Sequence, residues 1–137
     1  MCNIFKTVVS ISTSVVLTSV AMATSAFAIK TERATDYSEY DGYQCVAFAK
    51  AMGADLPSGL YTPQDKRDLI QYGIDVCPEP GWVAIVRNGQ HVGYVEDANE
   101  EDGTITVVTL DGNWIGGKVY RRTGTPKELE IKGYWAP

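Results

Sequence analysis

The chain has 137 residues, with 12 basic against 17 acidic side chains and a net charge of −5. Nucleic acid and anionic membrane surfaces both reward Lys and Arg, so this acidic balance argues against either as a partner. No run of like charge is long enough to act as a binding tail, and the chain carries no internal repeat or low-complexity segment.

The N-terminus reads MCNIFKTVVSISTSVVLTSVAMATSAFAIK. Lys6 supplies a small positive region, Val8 to Ala23 is apolar or small without an acid, and Ala26-Phe27-Ala28 is a small-x-small cleavage pattern. Residues 1–28 are therefore expected to be a signal peptide. The alternative is a retained membrane anchor, which the many Ser and Thr residues in the apolar run disfavour. Cys2 precedes that run and is expected to leave with it. The remaining 109 residues hold eleven basic and seventeen acidic residues, a charge of −6, and are enough for one small domain. Cys45 and Cys77 remain, in an oxidising compartment where a disulfide between them is open.

Residues 29–41 are polar, with Tyr37 and Tyr40 among acids, and read as an N-terminal arm. Cys45 to Met52 has Val46, Phe48, Ala49 and Met52 at helical spacing and ends at Gly53. Thr62-Pro63-Gln64-Asp65 is a helix start, with a Thr cap, Pro at the first position and an acid in the first turn; the helix is expected to run to about Tyr72. After the Cys77–Gly81 turn the pattern becomes strands. Trp82–Val86 is followed by Asn88-Gly89, the strongest short hairpin signal, and His91–Val95 returns. Asn99–Gly103 reads as a turn and Thr104–Leu110 as a β-branched strand. Trp114–Arg122 and Leu129–Trp135 are further strands. Helices first and then an antiparallel meander argue an α+β domain: N-terminal helices packed on a sheet of about five strands.

Three side chains can be brought together by this layout. His91, the one histidine, begins a strand. Antiparallel pairing about the Asn99–Gly103 turn puts it opposite about residues 110–114, a window that holds Asp111 and Asn113. A carboxylate or an amide there accepts the imidazole N–H and orients the ring. The competing reading of Asp111-Gly112-Asn113 is a turn. Cys45 opens a helix, where unpaired N–H groups and a nearby imidazolium lower a thiol pKa. Its own N–H is free to stabilise an oxyanion, with Gln44, Tyr37 and Tyr40 as candidates for a second donor. Neither one histidine nor the cysteine spacing makes a zinc site.

The segments Gln44-Cys45-Val46-x-Phe48-Ala49-Lys50, Pro80-Gly81-x-Val83-Ala84, Gln90-His91-Val92-Gly93-Tyr94-Val95-Glu96 and Asp111-Gly112-Asn113-Trp114, in this order, resemble the CHAP family. These are cysteine- and histidine-dependent amidohydrolases and peptidases, related to the NlpC/P60 proteins and built on a papain-like core. The resemblance spans about Gly42 to Trp135, so residues 42–137 are taken as the CHAP-like domain. It implies a peptidoglycan amide hydrolase, cutting the muramoyl–alanine bond or the stem or cross-bridge peptide. Cys45 then matches the nucleophile and His91 the base. Asp111 falls where many members have Glu, and Asn113 matches the amide before tryptophan; which of the two holds the imidazole stays open. Tyr43, Gln44, Trp82 and Trp114 are candidates for the binding groove; Trp82, which departs from the acid often found after Pro-Gly, is expected either to pack or to line the groove. The short Gly53–Cys77 loop implies a shallow groove. Some relatives bind calcium before the cysteine, where this chain has Asp36, Glu39 and Asp41, but the spacing matches no calcium loop and no cofactor is expected. The rival reading is a secreted, non-catalytic binding module held by a Cys45–Cys77 disulfide. Under either reading the protein is expected to be exported to the periplasm or medium and monomeric.

Overall fold

A computed structural model describes Cys2 and residues 29–137. Apart from Cys2, the expected signal segment lies outside the described residues. Among the described residues the architecture is dominated by one six-stranded antiparallel sheet with two short α-helices. Its strands are β1 (Lys30–Arg33), β2 (Val83–Val86), β3 (His91–Glu101), β4 (Thr104–Ile115), β5 (Lys118–Gly124) and β6 (Ile131–Trp135), in the spatial order β1-β5-β4-β3-β2-β6. The helices are α1 (Cys45–Ala51) and α2 (Pro63–Arg67); 3-10 turns lie at Thr35–Tyr40, before α1, and at Arg87–Gly89, between β2 and β3. Among the described residues no helix is long and apolar enough to cross a membrane.

The expected five strands are six, because the segment expected as an arm contributes β1. Its side chains, Lys, Thr, Glu and Arg, are all exposed and polar, so it carries no apolar period; it is held as an edge strand by pairing with β5. The same segment sends Ala34 into the core, and the Ala34 N–H donates to Val119. The helix at Thr62 is shorter than expected. Its capping box forms, with the Asp65 N–H donating to Thr62 Oγ1 and the Thr62 N–H to Asp65, but the α-helix ends at Arg67. The chain then turns so that Gln71 and Tyr72 bond to Tyr134 on β6.

The central hairpin is longer than expected. Asn99 to Glu101 belong to β3, and the turn is Asp102-Gly103, both at positive φ (53° and 79°). That backbone matches the right-handed strand twist. The Asp111-Gly112-Asn113 stretch is not a free turn. It lies within β4, where the ladder to β5 slips between Asp111 and Ile115 and Asn113 adopts φ 56°.

Alternation splits the core. Val83, Ile85 and Val92 point to one side and pack with Ala49 of α1 and with Leu56. Ala84, Val86, Val95 and Val107 point to the other, covered by Leu129, Tyr134 and the loop that carries Cys77. Phe48 joins Leu110 and Val119. A Cβ on Gly112 would stand 2.5 Å from Phe48 Cβ, so glycine there lets α1 approach the strand that carries Asp111.

The cysteine pairing differs from expectation. Cys2 lies beside Cys77, with Cα atoms 5.5 Å apart, and Cys45 is free. Cys45 makes no disulfide in this structure, in contrast to the Cys45–Cys77 bond of the rival reading.

Candidate active site

Cys45 is the first residue of α1, so its N–H has no acceptor within the helix. His91 is the first residue of β3 and is buried. Asp111, on β4, is fully buried. His91 Nε2 lies 2.8 Å from Asp111 Oδ1. The other ring nitrogen is left for Cys45, and the two side chains shift each other's proton affinity.

The partners of Asp111 fix its charge. Burial alone raises a carboxyl pKa. Against it act the hydrogen bond and charge of His91, the Arg122 guanidinium and the Thr109 hydroxyl, and they hold Asp111 below the ordinary carboxylate value. Thr109 Oγ1 donates to Oδ2 at 2.6 Å and Arg122 Nε to the same oxygen at 3.0 Å. An ionised Asp111 only accepts, so His91 Nε2 carries the proton and Nδ1 is the nitrogen left for the thiol.

Burial pulls the His91 pKa down, but the hydrogen bond and charge of Asp111 and the contact with Cys45 outweigh it and lift it to about 9. Burial likewise pushes the Cys45 thiol up. The His91 hydrogen bond and charge, the Val92 N–H and the Lys66 ammonium overcome that and bring it below the ordinary thiol value. Both shifts favour a thiolate–imidazolium pair.

Gly93 makes the His91–Asp111 contact possible. Val86 pairs with His91 and Ala84 with Gly93, which places both β3 residues on the face of Thr109 and Asp111. A Cβ at Gly93 would lie 2.5 Å from Asp111 Oδ1. The missing side chain is the notch through which the carboxylate crosses β3 to reach the ring two residues away.

The other expected residues divide. Asn113 does not reach the imidazole; its Nδ2 donates to Gln44 Oε1 at 3.0 Å. Asp111 alone holds the ring. Gln44, the residue before Cys45, makes no capping bond to α1; its Oε1 is taken by Asn113, which leaves its own amide N–H groups as donors. Trp114 meets the His91 ring edge-on at 4.9 Å. Tyr43 is exposed, edge-on to Tyr40. Trp82 is not in this group: it stacks on Tyr72 at 4.9 Å and packs against Tyr134. Tyr37 and Tyr40 pack around Phe48 and supply no donor to the thiol. A groove of about 410 Å³ begins at Gln44 and runs past Val46, Lys50, Pro57, Leu60 and Tyr61.

Of the acids considered for calcium, Asp36 pairs with Arg121, and Asp41 with Arg33 and Lys118. Among the described residues no three or more His, Cys, Asp or Glu side chains gather as a metal site.

Thiol, imidazole and carboxylate in one hydrogen-bonded row are the grouping that cysteine hydrolases use. The chain belongs to the CHAP domain family, whose model matches residues 35–113, more than half of its length. That domain is generally a hydrolase, of the amidase or peptidase type associated with peptidoglycan. No curated protein and no solved structure shows a significant match.

Proposed function

We propose that this protein is an exported cysteine hydrolase that cleaves an amide bond in peptidoglycan, at the muramoyl–alanine junction or within the stem or cross-bridge peptide. The observation that carries the reading is the continuous row Cys45–His91–Asp111, its charges set by burial and hydrogen bonds. In the proposed reaction the Cys45 thiolate attacks the scissile carbonyl. The Cys45 N–H and the Gln44 side-chain N–H receive the oxyanion, with Asn113 holding the Gln44 amide in the required orientation. Imidazolium Nδ1–H passes its proton to the leaving amine, which departs and leaves a thioester. The neutral ring then takes a proton from water, and the hydroxide equivalent releases the acid and restores the thiolate. Asp111 stays ionised throughout and keeps Nε2 protonated.

The groove beside Gln44 is the proposed seat of the peptide, and peptidoglycan the proposed partner of a monomeric protein that uses no cofactor. Export through residues 1–28 fits that substrate. Cleavage after Ala28 would remove Cys2 and leave Cys77 as a thiol, so intact mass under non-reducing conditions distinguishes the processed chain from the Cys2–Cys77 form.

The test is incubation with purified peptidoglycan and mass spectrometry of the released fragments, which also identifies the bond. Cys45→Ala is expected to lower the rate about 10⁴-fold or more. Unchanged release by that variant would end the proposal.

A further inference from the structure

The family match ends at residue 113, and the most deeply buried cation of the described chain lies beyond it. Arg122, on β5, is 3% exposed, with Nε on Asp111 Oδ2 and NH2 on the Leu129 carbonyl at 3.3 Å. Its neighbour Arg121 points the other way and meets Glu96 and Asp36 nearer the surface. We infer that Arg122 is a positioning residue for the Cys45–His91 pair: it clamps Oδ2 of Asp111 so that Oδ1 is the oxygen left to hold the imidazole ring. This rests on the reading of Cys45 as the nucleophile.

Two observations give the clamp its force. The first is charge. Cys45 thiolate, His91 imidazolium, Asp111 carboxylate and Arg122 guanidinium form a row of alternating sign that sums to zero. Without Arg122 the buried row carries a net negative charge, which disfavours the ionised carboxylate and, through it, the imidazolium. Thr109 is the second donor to Oδ2 but is neutral. Lys66 of α2 acts on the row from the Cys45 side.

The second is shape. A guanidinium is a planar fork, and here it is fixed at both ends and on one face. Nε meets the carboxylate, NH2 meets Leu129, and Cζ lies 3.9 Å from the centre of the Trp114 ring. The same ring has Arg87 at 4.4 Å and the His91 edge at 4.9 Å. Arg122 thus fixes the carboxylate directly and bears on the indole that flanks the histidine. An ammonium in its place keeps the charge but cannot reproduce the fork or the stacking.

The experiment measures iodoacetamide alkylation of Cys45 against pH in the full-length protein, with the labelled peptide identified by mass spectrometry and folding monitored by near-UV circular dichroism. It needs no wall substrate. Arg122→Met is expected to slow labelling at pH 7 about tenfold, the scale of one charge-assisted hydrogen bond, and to move the midpoint upward. Arg122→Lys is expected to fall between the two, and Thr109→Val to shift the same way by less. In an Asp111→Asn background Arg122→Met is expected to add nothing further. A folded Arg122→Met protein with the wild-type labelling curve overturns the inference, as does a full additional shift in the Asp111→Asn background. Should Arg122→Met fail to fold, unchanged curves for both Arg122→Lys and Thr109→Val overturn it. Failure of the nucleophile reading looks different: wild-type Cys45 itself would label with an ordinary thiol midpoint, insensitive to His91→Ala.

Discussion

Cys45 has two unlike flanks. On one side lie His91, Asp111, Thr109 and Arg122, all buried and mostly charged or ionisable. On the other lie Gln44 and Asn113, neutral and exposed, joined by a single amide–amide bond. The buried flank has no solvent to screen it, so each hydrogen bond there changes proton affinities. The open flank can reach a substrate but has little hold on the thiol's protonation. One flank sets whether Cys45 is charged; the other meets the charge that its attack creates.

Asp111→Asn should give the largest separation between the flanks. It leaves Arg122 buried without its anion and removes the partner that lifts His91. Catalysis is expected to fall about 10³–10⁴-fold and stability by about 3 kcal/mol. In the wild type the active ion pair exists above the lowered Cys45 pKa and below that of His91. The kcat/KM profile should therefore rise on an acid limb below the ordinary thiol range and fall through about pH 9; in Asp111→Asn the alkaline limb should move down toward 6.5. The same raised histidine pKa contributes stability that is whole below pH 6.5 and lost as pH climbs through about 9, a trend that melting curves at stepped pH would follow.

Gly93→Ala attacks the same flank sterically. The added methyl competes with Asp111 Oδ1, so a loss of about 1–3 kcal/mol in denaturant unfolding should accompany a rise in the pH midpoint of Cys45 alkylation. An unshifted midpoint would show that the carboxylate does not need the notch. Gln44→Ala should act on the open flank alone: kcat down about 10²-fold and the labelling curve in place. Asn113→Ala, one bond further out, should cost about tenfold by the same assay. A labelling curve that moved with either variant would dissolve the distinction between the flanks. Smallest of all, Arg121→Met removes two partly exposed ion pairs, to Glu96 and Asp36, and should change stability by about 0–1 kcal/mol with turnover untouched.

How far the sequence revealed these flanks follows from the signals each residue gives. Pairing around the central hairpin placed His91 opposite the segment holding Asp111, and the register Tyr94↔Leu110 lies in the expected range. Cys45 at a helix start was readable from the Val46–Phe48–Ala49–Met52 pattern. The choice between Asp111 and Asn113 was not readable, because the slip between Asp111 and Ile115 rotates Asn113 toward Gln44, and a slip leaves no periodic trace. Arg122 gave no sign of burial, since arginine is ordinarily a surface residue and its strand follows that irregular stretch. Whether Trp82 packs or lines the groove was open from its place after Pro-Gly; it packs, against Tyr72 and Tyr134. The edge strand β1 was hidden for a simpler reason: four exposed charged or polar residues have no apolar face to betray them.

The notch at Gly93 bears on how chains of this kind are recognised. Its contribution is an atom that is not there, and a list of reactive groups does not register a missing atom. A chain that kept Cys45, His91 and Asp111 but carried alanine at position 93 would present every reactive group and have no room to seat the carboxylate. Whether such a chain is an enzyme or an inert descendant would be told by its smallest residue, ahead of its nucleophile.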